Sequence, residues 1–296
     1  MVAFSTQAFC DEYPFESHYL NINNMQYHYL REGQGTQTIL MVHGNPTWSF
    51  YYRNLVKRLS KDFLVVVPDH IGCGLSDKPQ NYSYRLQDHI DNLCKLVEHL
   101  KLENIHLILH DWGGAIGMGM AQKFPDKIKK FTILNTASFL LPIIPFSINI
   151  CKIPVFGDLV IRGLNGFARP AITMASKKKG QMTKTIKKGY LAPYHNWESR
   201  IATHRFVKDI PMDSSHPSWI TMTKIEIMLD LFKNTPMHIF WGKLDFCFND
   251  HFLAKWKLLF PNARVKEYAD AGHYVLEDAK PEIIEDIAKW ANENEQ

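Results

Sequence analysis

Residues 107–119 read LILHDWGGAIGMG, an apolar run that passes through His110 and Asp111 into a series of small residues. A run of this kind reads as a buried strand, and the Gly- and Ala-rich part after it reads as a helix packed closely on its neighbours. Asp111 therefore falls at a strand-to-helix elbow. In the serine version of this device, G-x-S-x-G, the nucleophile is pushed onto a sharp turn at the top of the sheet and small neighbours relieve the crowding. Asp111 occupies the serine position and Gly113 supplies one small neighbour, but Leu109 stands where the other glycine belongs. The helix N-terminus beyond the elbow favours an ionised carboxylate. Taken alone, Asp111 reads equally well as an N-cap.

Working outward, continuous apolar runs at 38–42 (TILMV), 64–67, 105–109, 131–134 and 237–241 read as buried parallel strands. Residues 25–30 (MQYHYL) alternate like an exposed early strand. Helical patterns lie between the runs, at 86–100 and 114–124, and residues 281–291 close the chain as an amphipathic helix with Pro281 at its first position. The predicted fold class is α/β, a mostly parallel sheet flanked by helices. The rhythm breaks at 138–234, where ten Lys and four Arg face six acidic residues. That segment carries +8 of a chain whose net charge is +4, which leaves −4 for the rest. The expected division is a core of residues 1–137 and 235–296 with an inserted helical cap at 138–234.

The 296 residues are 46% hydrophobic and 22% charged, which excludes disordered and fibrous classes and leaves room for a deep pocket. Cys10, Cys73, Cys94, Cys151 and Cys247 are odd in number and never form a C-x-x-C pair, so reduced thiols and no zinc or other metal site are expected. Acidic Asp11 and Glu12 and the absence of a long apolar core near the N-terminus argue against a signal peptide, and the expected location is the cytoplasm. Residues 139–161 approach membrane length but contain Pro142, Pro145, Pro154, Lys152 and Asp158, so they read as a pocket-lining or interfacial segment. The basic run Lys177, Lys178, Lys179, Lys184, Lys187 and Lys188 reads as a solvated helix face that leaves peripheral membrane contact open. No aromatic interleaving supports nucleic-acid binding.

Two partners for Asp111 sit where an α/β-hydrolase order of nucleophile, acid and His requires them. Asp245 follows the strand 237–241 in WGKLDFCF, and His273 lies in DAGHYVLED after the strand-like 264–268. Both fall at the carboxyl ends of strands, where open α/β sheets build their sites. Asp250, Asp270 and Asp278 compete for the acid role but read as surface or capping carboxylates. A turn after the first buried strand, VHGNPTWS at 42–49, brings Asn45 to the same edge. Its amide and the indole N–H of Trp112 form a candidate donor pair for a leaving anion or oxyanion.

The segments HGNPTW, PDHIGCGLSDKP, HDWGG, WGKLDF and AGHYVLED resemble the aspartate-nucleophile branch of the α/β-hydrolase superfamily, which holds haloalkane dehalogenases and epoxide hydrolases. HGNPTWSFYYRNLV and the cap segment YHNWESRIATHRFVKDIP are similar to the β-lactone decarboxylases of bacterial long-chain olefin biosynthesis. The resemblance implies Asp111 as nucleophile, His273 as base or proton shuttle, Asp245 as its orienting acid, and Asn45 with Trp112 as the halide- or oxyanion-stabilising pair. Some dehalogenases carry the acid after the preceding strand, where this chain has Asn135 and Thr136. Epoxide hydrolases of the branch use two cap tyrosines, for which Tyr190 and Tyr194 are the candidates. The implied reaction is conversion of a cis-disubstituted β-lactone to a cis-alkene and carbon dioxide, with alkyl halide hydrolysis as the alternative. No cofactor is implied. The implied partners are a hydrophobic small-molecule substrate and either other olefin-biosynthesis enzymes or further copies of the chain. Phe139, Leu140, Leu141, Ile143, Ile144, Phe146, Ile148 and Ile150 are the apolar cap residues expected beside alkyl chains, or equally as cap core.

Overall fold

A computed structural model gives the structure of residues 4–141, 143–178 and 180–293; Pro142 and Lys179 lie outside the described residues. Eight strands form one sheet: β1 (His18–Ile22), β2 (Met25–Glu32), β3 (Thr38–Val42), β4 (Leu64–Pro68), β5 (Ile105–Asp111), β6 (Ile128–Thr136), β7 (Met237–Gly242) and β8 (Arg264–Tyr268). Their spatial order is β1-β2-β4-β3-β5-β6-β7-β8. The pairs β1/β2 and β2/β4 are antiparallel, and every other pair is parallel. This is the expected α/β arrangement, with helices on both faces.

The central strands are buried along their whole length because both faces are covered: every residue of β3 and β5 is buried. The helices α1 (Arg53–Leu59), α2 (Leu86–His99) and α3 (Trp112–Ala121) follow β3, β4 and β5, and α3 packs on α2. Between β6 and β7 the described residues contain no strand, only short helices and turns. These are α4 (Phe146–Asn149), α5 (Ala168–Met174), α6 (Lys184–Leu191), α7 (Ile201–Lys208) and α8 (Trp219–Ile227). The chain then runs through α9 (Asp250–Leu259), α10 (Val275–Asp278) and α11 (Glu282–Asn292).

Two sequence expectations about these elements change. Residues 25–30 are not an exposed strand: Tyr27, His28, Tyr29 and Leu30 are buried, because Tyr27 and Tyr29 pack into one apolar cluster and Leu30 into another, so that both faces of β2 are covered. Strand β1 escaped the sequence reading because HYLNI is short and half exposed. Pro281 is the N-cap of α11 rather than its first helical residue. Residues 139–161 break into short helical turns, and no helix among the described residues is long and apolar enough to cross a membrane.

Candidate active site

Asp111 ends β5 and caps α3, with φ 52° and ψ −128°, a strained backbone that a non-glycine residue adopts only when its surroundings enforce it. The enforcement is visible on both sides of the elbow. The Thr136 hydroxyl at the end of β6 donates a short hydrogen bond to the Asp111 carbonyl. A Cβ on Gly44 would collide with the Asp111 carboxylate, so the turn after β3 can approach only as glycine. Leu109 is tolerated at the expected glycine position because the small residue has moved to the helix: its side chain fills the space that a Cβ on Gly117 would take.

The backbone N–H of Asn45 donates to Asp111 Oδ1 at 2.6 Å, and the Trp112 backbone N–H also donates to this carboxylate. The Oδ2 oxygen lies 3.5 Å from His273 Nε2. On the other side of the ring, His273 Nδ1 lies 2.8 Å from Asp245 Oδ2. The remaining Asp245 oxygen accepts the backbone N–H groups of Cys247 and Phe248 at 2.7 and 3.0 Å, which fixes the acid in its loop after β7. Asp111, His273 and Asp245, distant in sequence, thus meet at the carboxyl edge of the sheet. Phe248 stacks on the imidazole with an interplanar angle of 17°, and the His273 carbonyl accepts from His110 Nε2 at 2.9 Å.

The electrostatics follow from burial. Asp111 is pushed above the ordinary carboxyl range because burial penalises its charge, and the His273 charge and the two backbone donors only partly offset this. Burial would lower His273, but the charge and hydrogen bond of Asp245, together with Asp111, outweigh it and raise the imidazole above its ordinary value. His110 is held neutral, first by burial and then by the nearby His273.

Asn45 and Trp112 both line the cavity beside Asp111. The Asn45 amide donates to the Thr203 carbonyl of α7 at 3.2 Å, which leaves its second N–H for a ligand. The cavity has a volume of about 370 Å³. Phe139, Leu140, Leu141, Ile143, Ile144 and Ile148 line it as expected; Phe146 and Ile150 do not, because Phe146 points to solvent and Ile150 packs on a small cap cluster. Met174, Val207, Phe246 and Phe252 complete a mostly aliphatic wall.

The competing residues separate cleanly. Asp250 and Asp270 are exposed and paired with Lys243 and Lys178. Asp278 is fully buried rather than superficial, and it accepts from Gly272 N at 2.8 Å, Lys177 N at 2.8 Å, Lys178 N at 3.1 Å and Ser176 Oγ at 2.6 Å. One carboxylate thereby ties the His273 loop to the loop after α5. Tyr190 and Tyr194 are buried and absent from the cavity wall, with hydroxyls donated to Glu277 and to the Thr47 carbonyl. Asn135, at φ 30°, bridges both backbone groups of Gly242 at 2.8 and 3.0 Å and so sets the strand end that carries Asp245. The sequence reading named Asn135 and Asp278 but not the positioning roles they play; the partners that reveal those roles lie 107 and about 100 residues away, beyond any local pattern.

A family model described as alpha/beta hydrolase fold matches residues 37–280. The chain belongs to the α/β-hydrolase family. Among α/β-hydrolases it is 46% identical, over 95% of its length and 90% of the relative's, to a cis-3-alkyl-4-alkyloxetan-2-one decarboxylase of Shewanella oneidensis. It is 38% identical to the Xanthomonas campestris protein of the same name, over 90% of this chain and 92% of the relative. A haloalkane dehalogenase from Bradyrhizobium elkani superposes with a TM-score of 0.84 at 22% identity, covering 93% of this chain and 97% of the other, which is a likeness of fold.

Proposed function

We propose that this α/β-hydrolase decarboxylates cis-3,4-dialkyl-β-lactones, with Asp111 as nucleophile. The observation that carries the reading is the Asp111 carboxylate, held at Oδ1 by the Asn45 backbone N–H and set in the wall of a mostly aliphatic cavity. The 46% identity to a protein named for this reaction supports the substrate class. The cap of residues 138–234 supplies most of the apolar wall, and the core of residues 1–137 and 235–296 supplies the reacting groups.

In this reading an Asp111 oxygen attacks the ring carbon that bears the ring oxygen, and that C–O bond breaks. The product is an aspartyl ester with a free carboxylate on the adjacent carbon. Inversion at the attacked carbon places the new ester antiperiplanar to that carboxylate. The C–C bond to the carboxylate then breaks, its electrons form the alkene, carbon dioxide leaves, and Asp111 departs as a carboxylate. Inversion followed by anti departure keeps the two alkyl groups cis. No water enters, so His273 serves here as the charge that holds Asp111 ionised, and Asp245 holds His273 in place. No cofactor takes part. Five free cysteines support a reducing, cytoplasmic setting.

The presence of Trp112 beside Asn45 on the cavity wall favours a second reading, haloalkane hydrolysis, in which these donors receive halide and His273 activates water on the ester. Purified protein given both substrate classes separates the two. The proposal expects alkene from the lactone to outpace halide from bromoalkanes, and loss of the alkene in Asp111→Ala. Bromide release at rates competitive with the lactone refutes it.

A further inference from the structure

The cap carries a surface that the proposed chemistry does not use. Along residues 143–174 the exposed side chains are overwhelmingly apolar: Ile143, Phe146, Ile153, Val155, Phe156, Leu159, Leu164 and Met174 all face outward, with Phe146 80%, Leu164 72% and Val155 69% exposed. Soluble proteins rarely leave so many large apolar side chains uncovered along one short segment without an interaction to cover them. The backbone reinforces the point. Val155 sits at φ 65°, a conformation that costs a β-branched residue energy, in a turn closed by hydrogen bonds from Phe156 N to Pro154 O and from Gly157 N to Ile153 O. Strain that holds a valine in solvent is not explained by the cap's own packing. The segment wraps the small apolar cluster of Ile148, Cys151, Ile161 and Val207, so its outward residues belong to one compact body.

Charge decides what covers this surface. From residue 138 to 197 the chain has nine Lys and Arg and a single acid, Asp158. Asp158 is already engaged by His204 at 3.2 Å and Arg162 at 4.0 Å. Arg169, Lys177, Lys184, Lys187 and Lys188, which lie within or follow this segment in the chain, are exposed. The exposed acids Glu198 and Asp213 leave the segment 138–234 at +8, and apolar side chains in so basic a setting are the chemistry of interfacial binding to anionic lipid. The surface is also continuous with the site: Ile143, Pro170 and Met174 are exposed and line the cavity that contains Asp111.

We propose that the outward side of residues 143–174, together with the exposed cap lysines, docks on anionic lipid surfaces and opens the Asp111 cavity towards them. Docking stands on the surface alone. The corollary that a water-insoluble dialkyl lactone enters from the lipid rests on the decarboxylase reading.

The test is co-sedimentation of the purified full chain with phosphatidylcholine vesicles, with and without phosphatidylglycerol, at low and high salt. Three variants are compared: wild type, Phe146→Ser/Val155→Ser/Leu164→Ser, whose residues lie outside the cavity wall, and Lys187→Glu/Lys188→Glu. Wild type is expected to pellet with the phosphatidylglycerol vesicles and to be released by high salt. Both variants are expected to lose about tenfold or more of this binding while keeping thermal stability and turnover of a short-chain, water-soluble substrate. No binding by wild type, or undiminished binding by the triple serine variant, overturns the proposal. So does a dimer of wild type, seen by sedimentation, that the serine variant dissolves, since that assigns the face to a second copy. Vesicle binding needs no turnover, so its failure and the failure of the decarboxylase reading are separate results.

Discussion

Replacing His273 with alanine separates the two chemistries that this site supports. The imidazole lies 3.5 Å from Asp111 Oδ2 and 2.8 Å from Asp245, and it is raised above its ordinary value, which favours its cationic form beside Asp111. At an effective dielectric constant of about 20, two unit charges at that separation attract by about 5 kcal/mol. Burial already pushes Asp111 upward, and His273 is the first of the groups that oppose this. Without it the carboxyl rises further, and less of the reactive anion is present at pH 7. In the decarboxylase reading no water is activated, so the variant loses activity through that charge alone. The expected loss in kcat/KM is about 10²- to 10³-fold at pH 7, recovering as pH rises because deprotonation of Asp111 then becomes easier. With a bromoalkane the same variant has no base for ester hydrolysis, and intact mass spectrometry shows an alkyl adduct at Asp111. The assay is a pH profile of alkene formation beside the mass spectrum. A profile with no recovery on the alkaline side, or a lactone adduct of full mass accumulating on Asp111, refutes the assignment of His273 as a purely electrostatic partner.

Other consequences are independent of the reaction. Asp278→Ala leaves the buried Gly272 N–H, the part-buried N–H groups of Lys177 and Lys178 and the Ser176 hydroxyl without their acceptor, so thermal unfolding should show a loss of about 2–4 kcal/mol; a shift within error would show that the two loops are held by other contacts. Arg53 and Glu277 form a buried ion pair joined by the Tyr190 hydroxyl at 2.7 Å, and Glu277→Gln should cost about 3–5 kcal/mol by leaving a buried cation, whereas Arg53→Met/Glu277→Leu should recover most of it. Despite its burial, the Arg53 charge and hydrogen bonds hold Glu277 down at about 2, below its ordinary 4.5. Its contribution is therefore complete above about pH 4.5 and lost as pH falls towards 2, a decline that denaturant titrations should find missing in Glu277→Gln. Trp112→Phe removes one indole donor and should weaken bromide binding or bromoalkane turnover by about tenfold or more; unchanged values would remove the indole from the anion site.

The parallel core was legible because a strand covered on both faces must be apolar at every position, as β3 and β5 are. Edge strand β1 was not, since its alternation is brief and it exists only by pairing with β2. In the site, Asp111, Asp245 and His273 were visible because each follows a strand and the topology places strand ends together. The residues that hold them were not. Asn135 reads as an unremarkable polar residue until β7 lies beside β6, and Asp278 as a surface acid until the loop after α5 folds onto it. In the cap, the same apolar string divides between cavity wall and outer surface: Ile144 and Ile148 line the cavity and Phe146 does not. Short helices with irregular turns carry no period from which that division can be read.

The central claim, an Asp111-dependent decarboxylase, is tested most directly by incubating wild type and Asp111→Ala with a cis-3,4-dialkyl-oxetan-2-one and measuring alkene and carbon dioxide. Wild type should release cis-alkene and carbon dioxide in equal amounts, and Asp111→Ala, confirmed as folded, should release neither above the uncatalysed rate. Alkene formation retained in Asp111→Ala, or a β-hydroxy acid as the wild-type product, contradicts the account.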